Sequence, residues 1–246
     1  MLTSILRNHP RRASRSDFEK PLERTKNVRR YFLEVQSTLP VSERSRFGSE
    51  GRALLPTFAR EHLIMTASAW NTDSDPAFVV HYWDMGNDAN ALLEAELGLP
   101  DIPRFNAFNE LVTTEIKSIA VPIAGDQFVP LPSGFEGERS LSPSDFRYLR
   151  VVSEVGNVYL PEFAALVEGS MMTFTKHAEW YLGDTYLNIT GLAGTVSQLW
   201  IIPAQDADKA ASRLKDAIWL REQVIQSTPR FQVLHATPMD PNFHTS

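Results

Sequence analysis

FVVHYWD (Phe78–Asp84) and VSQLWII (Val196–Ile202) are the two stretches that decide the fold. Each is a short run of β-branched and aromatic residues, apolar at both parities, as expected of a strand covered on both faces. Laid on itself at an offset of 117 residues, the chain brings Trp83 onto Trp200, Asn71 onto Asn188 and Arg30-Tyr31 onto Arg147-Tyr148. With the offset reduced by one, Ala120 and Pro122 fall on Ala236 and Pro238. The identities keep one order, and each sits in a similar local pattern, which is the signature of an internal repeat.

Working outward from Phe78–Asp84, the first copy reads β-α-β-β-α-β. Tyr31–Ser37, Leu63–Asn71 and Ala77–Asp84 have strand character. Between the first two, Ser42–His62 carries Phe47, Leu54, Leu55 and Phe58 near helical spacing. Asn87–Leu97 and Arg104–Val112 read as helical pieces, and Thr114–Ile123 closes the unit. The second copy repeats the order: strand Tyr148–Ser153, helix Leu160–His177, strands Trp180–Ile189 and Thr195–Ile202, helix Asp206–Gln226, strand Arg230–Thr237.

The expected organisation is a basic tail (1–27), one ferredoxin-like unit (28–123), a Pro/Gly/Ser-rich linker (124–146), a second unit (147–239) and a short tail (240–246). A lone βαββαβ unit covers one face of its sheet with helices and leaves the other open. Two tandem units can bury those open faces against each other. The predicted fold class is therefore α+β, two ferredoxin-like units packed sheet to sheet as a single-chain α/β barrel.

Composition narrows the function classes. The chain has no cysteine, which excludes disulfides, thiolate nucleophiles and cysteine-ligated metal, and fits a reducing compartment. Residues 1–30 carry nine Lys and Arg against three acids, while the whole chain has a net charge of −6. The body is thus strongly acidic, which speaks against nucleic acid as the main partner. No apolar run reaches the length of a membrane span. The cytoplasm is the expected location. The Arg- and Ser-rich opening also matches an organellar transit peptide, although Pro10 interrupts any amphipathic helix there.

With this pattern the chain resembles the dimeric α/β-barrel superfamily over roughly Val28–Met239. HYWD (His81–Asp84) and QLW (Gln198–Trp200), each ahead of a helix, look like the strand-then-helix stretch of NIPSNAP-type domains. The halves are also similar to antibiotic-biosynthesis monooxygenases and to haem-binding relatives. The resemblance implies a small-molecule pocket between each sheet and its own helices. Fold alone does not assign the reaction.

His81 is the first candidate. An imidazole beside Trp83 can bind an aromatic substrate and move a proton, and the matching residue of the second copy is Gln198. Glu34, a carboxylate in the first strand, is a candidate base or an orienter of His81. Its match by offset is Val151, and Arg150 is a comparable oddity; an ion pair would account for either. Asn71 and Asn188 end the second strands and can donate to a substrate oxygen, or simply serve their turns.

Trp83, Trp70, Tyr82 and Tyr186 are candidate pocket aromatics, as well as ordinary core residues. No metal-ligand spacing, phosphate loop or nucleophile elbow is present. The expected activity is a cofactor-free enzyme acting on an apolar or aromatic molecule by proton transfer, in oxygenation, cyclisation or isomerisation. One alternative is a haem dehydratase or haem degrader with His177 as axial ligand. The other is a non-catalytic binding protein of NIPSNAP type. Pairing of two chains into a homodimer is compatible with all three.

Overall fold

The computed structural model describes residues 30–71, 74–88, 90, 99, 102–123, 144–156, 159–165, 167, 180–215 and 224–240. Its strands are β1 (Phe32–Leu39), β2 (Ile64–Trp70), β3 (Ala77–Asp84), β4 (Thr114–Pro122), β5 (Phe146–Glu154), β6 (Tyr181–Asn188), β7 (Thr195–Pro203) and β8 (Arg230–Ala236). The helices are α1 (Arg44–Arg60), α2 (Pro103–Asn109) and α3 (Ala207–Lys215). The strands close into a barrel in the order β1-β3-β2-β8-β5-β7-β6-β4, and every pairing is antiparallel.

β1–β4 form one four-stranded stretch with β1 and β3 central, and β5–β8 form another with β5 and β7 central. The two stretches do more than face each other. Their edges pair, β2 with β8 through Ala69↔Ala236 and Trp70↔His235, and β4 with β6 through Ala120↔Asn188 to Pro122↔Tyr186. Closure removes the free edges that two stacked sheets would leave.

Alternation along each strand then makes three cores. Phe32, Val80, Tyr82, Tyr148, Tyr186, Leu199 and Leu234, drawn from both halves, point into the barrel. Leu33, Val35, Val79 and Trp83 point outward and are covered by Phe47, Leu54, Phe58 and Phe108 of α1 and α2. Leu149, Val151, Trp200 and Ile202 are covered in the second half by Phe163, Ala210 and Leu214. Both faces of the central strands are buried, which explains runs such as Phe78–Asp84 that show no polar alternation.

Several expected elements differ in detail. A short 3₁₀ turn, Val41–Glu43, precedes α1, and His62 stops it with φ 61°, a left-handed capping position. The expected helix Asn87–Leu97 falls mostly outside the described residues, and Asn87 itself stands in a turn. The helix from Leu160 is helical over 160–165; most of its remainder lies outside the described residues. The helix expected to run to Gln226 does not reach it, because Ile225 forms a β-bridge with Val155.

One alignment also shifts. Glu34 faces Tyr82 and Arg150 faces Leu199, so on the strand register Glu34 corresponds to Arg150 rather than Val151.

Candidate functional site

The sequence candidates divide between two sides of one sheet. On β3, His81 and Trp83 face the helices, while Tyr82 faces the barrel interior. On β1, Val35 pairs with His81 and faces the helices with it, whereas Glu34 pairs with Tyr82 and faces inward. His81 and Glu34 are therefore kept apart by the backbone of the sheet. Asn71 follows β2, three residues beyond Ser68, the strand partner of His81. At strand rise this is about 10 Å along the chain from that partner.

The helix side gathers aromatic rings around His81. The imidazole is 4% exposed and stacks on Phe47 with centroids 5.6 Å apart. It meets Trp83 edge-on at 6.1 Å. Phe47 in turn stacks on Phe108 at 4.6 Å, and Phe58 meets Trp83 at 4.9 Å. Trp70 is partly buried against the same cluster.

His81 Nε2 is buried without a hydrogen-bond partner. Burial lowers the His81 pKa to about 3, because an imidazolium here would lose its water with no anion to replace it. The ring is neutral at physiological pH. It presents one buried polar atom in an apolar setting, a costly arrangement in a folded protein.

The equivalent position in the second half is Gln198 on β7, which faces Thr185 of β6 just as His81 faces Ser68. Gln198 Oε1 and Nε2 and Thr185 Oγ1 are likewise buried and unpartnered. Ser68 Oγ, by contrast, accepts from Thr237 Oγ1 at 2.7 Å.

The barrel interior carries a charged network. Arg150 donates to Glu34 Oε1 at 2.8 Å, to Gln232 Oε1 at 2.8 Å and to Tyr82 Oη at 3.2 Å. Gln36 Nε2 also donates to Glu34 Oε1, at 2.7 Å. Glu34 is 0% exposed. Burial pushes the Tyr82 phenol well above its usual value, and the nearby Glu34 carboxylate adds to this. Burial alone would lower the Arg150 pKa, but Tyr82 and Glu34 outweigh it and the net shift is upward.

The two residues that looked out of place on their strands are thus each other's partner, one from each half. Tyr186 stacks on Tyr82 at 5.4 Å and lies 4.8 Å from Phe32. Asn188 donates to Thr195 Oγ1 and Ser197 Oγ. Tyr82, Tyr186 and Asn188 therefore share the interior and do not join Trp83 and Trp70. His177 lies outside the described residues.

Phe47, Phe108 and Ser68 were not legible as site residues. A helical Phe or a strand Ser has no distinguishing mark until packing sets it beside an imidazole. Among the described residues, no group of three or more His, Asp or Glu is placed to hold a metal ion, and no helix is long and apolar enough to cross a membrane.

No family model matches the chain, and no curated protein matches it. Solved structures do. An anthrone oxidase-like protein is 12% identical, with 86% of this chain and 92% of that one aligned and a TM-score of 0.57. A monooxygenase candidate from Lactobacillus acidophilus NCFM is 13% identical over 86% of this chain and 98% of that one, TM-score 0.54. A chlorite dismutase variant from Candidatus Nitrospira defluvii is 12% identical over 85% and 92%, TM-score 0.50. At such identities the likeness speaks for the barrel, not for the chemistry.

Proposed function

We propose that this chain is a small-molecule enzyme whose site is the helix side of β3, around His81. One observation carries the reading: a buried imidazole nitrogen left without a partner amid Phe47, Trp83 and Phe108. A ligand with a flat apolar body and one hydroxyl or carbonyl would satisfy that nitrogen and leave the rings in apolar contact.

The low His81 pKa shapes the chemistry. Free, the ring is a weak base. A proton moves from an acidic substrate hydroxyl to Nε2 only as an oxyanion forms beside it, because that anion stabilises the imidazolium. The resulting electron-rich anion can react with oxygen without a cofactor, or cyclise or isomerise. The names of the monooxygenase-type and anthrone oxidase-like neighbours make oxygenation the first of these to test. We read the protein as cytoplasmic, on its lack of cysteine.

We further read the chain as a tandem duplication, with units over residues 28–123 and 147–239. Both halves have the same strand order, and each breaks register at a corresponding bulge, between Met65 and Ala67 and between Leu182 and Asp184. On this view Gln198 marks the half that cannot take up a proton.

The test is oxygen uptake with anthrone, which should consume one O₂ and yield one anthraquinone and one water per turnover. His81→Phe should lower the rate about 10²-fold. Unchanged turnover in a folded variant removes His81 from the chemistry. Haemin added to the purified protein separates the haem reading, since a saturating Soret band would favour it. Binding of 1-naphthol without turnover would favour the NIPSNAP-type alternative.

A further inference from the structure

After Ala236 the chain leaves β8 and crosses to the first half. Its next four residues, Thr237, Pro238, Met239 and Asp240, lie against β2 and α1. Thr237 N–H donates to Ser68 O at 3.0 Å, and Thr237 Oγ1 donates to Ser68 Oγ at 2.7 Å. Asp240 Oδ2 accepts from Ser68 N at 3.2 Å and from Tyr148 Oη at 2.6 Å. Every one of these tethers but the last falls on Ser68, the strand neighbour of His81.

Between the tethers Met239 is pressed into the aromatic cluster that holds His81. The receiving surface is α1, where Gly48 and Gly51 lie one turn apart. A Cβ on Gly51 would overlap Met239 Sδ and lie 3.1 Å from Phe108 Cε2, and one on Gly48 would lie 3.1 Å from Pro238 Cγ. Two glycines inside a helix weaken it. Here they open a groove for this segment.

We infer that Thr237–Asp240, supplied by the second half, is a movable wall of the His81 site, and that Met239 decides how large a molecule reaches the imidazole. The segment has the form such a wall needs. Beyond Thr237 it follows no strand: it turns back through Asp240 N–H to Thr237 O at 3.0 Å and Met239 N–H to Thr237 Oγ1 at 3.1 Å, it is fastened by hydrogen bonds to Ser68 and Tyr148, and it inserts one flexible, unbranched side chain. A methionine here can swing aside while Phe47 and Phe108, fixed on their helices, keep the ring stack. The inference rests on the reading of this side of β3 as the ligand site, but the wall is measurable without any ligand.

The experiment is the rate of His81 modification by diethyl pyrocarbonate, followed by peptide mass spectrometry on the full-length protein. This reagent acylates a neutral imidazole. Met239→Ala should raise the rate at His81 at least tenfold, with the exposed His62 unchanged as internal reference. Asp240→Asn loosens the tether and leaves Met239 intact, and Gly51→Ala pushes Met239 out without altering the segment. Either should raise the rate in the same way and carries the test if Met239→Ala does not fold.

A His81 rate equal to wild type in the folded variants overturns the wall. A rise shared by His62 also counts against it, since that is general loosening. Should the protein neither bind nor oxidise an aromatic substrate, the modification rates still report on the wall, so the two failures are distinguishable.

Discussion

At the residue scale, His81 is a polar side chain whose environment opposes its charge. An unfolded chain would protonate it near the ordinary value of 6.5, while the folded chain does so only at about 3. The unfolded state therefore binds the extra proton between these values, and folding stability falls as pH drops from 6.5 toward 3. The expected slope from this one group is about 1.4 kcal/mol per pH unit within that window. His81→Leu should abolish that share of the acid sensitivity. It should also raise stability at neutral pH by about 1–3 kcal/mol, since it removes a buried unpaired nitrogen. Chemical denaturation at several pH values measures both. A parallel loss of stability in the variant and in wild type would mean that His81 is solvated in the folded state.

At the element scale, the seam between the halves depends on a turn. β4 and β6 share few strand pairs, and the β6–β7 turn extends the contact. Ile189 N–H donates to Ile119 O, Ile119 N–H donates to Thr190 Oγ1 at 2.8 Å, and Leu192 N–H donates to Ser118 Oγ at 3.1 Å. Gly191 makes this approach feasible. Its φ is 61°, and a Cβ there would run into the Lys117 carbonyl. Gly191→Ala should cost more than about 1 kcal/mol, seen as an earlier midpoint in urea. An unchanged midpoint would show that the turn does not hold the seam. Lying between the strands Trp180–Ile189 and Thr195–Ile202, Gly191 reads in the sequence as a turn residue. Its closeness to β4 was not, because the two segments are some seventy residues apart and meet only when the barrel closes.

At the scale of the whole molecule, the charged pair in the barrel joins the two halves. Glu34 of β1 and Arg150 of β5 occupy corresponding positions, so two copies of either half would place like charges there. Removing one partner strands the other as a buried charge. Glu34→Leu should destabilise by about 3–5 kcal/mol, whereas Glu34→Leu with Arg150→Met should recover most of that loss. Denaturant midpoints of the single and double variants give the coupling. Additive losses would mean that the two groups are solvated independently.

The sequence by itself determined the strands in their order along the chain and the buried central strands. Those follow from local periodicity and turn residues, which are written along the chain. It also singled out His81, Glu34 and Arg150, because an ionisable residue within an apolar strand stands out without any coordinates. Which of these residues meet was decided by the tertiary structure alone. One-residue alternation sends His81 and Glu34 to opposite faces, and a one-residue difference in register makes Arg150, not Val151, the counterpart of Glu34. The passage of Met239 from the far end of β8 to the helix side of β3 belongs to the same class of fact. Contacts between distant segments are set by barrel closure and side-chain packing, and no local pattern encodes them.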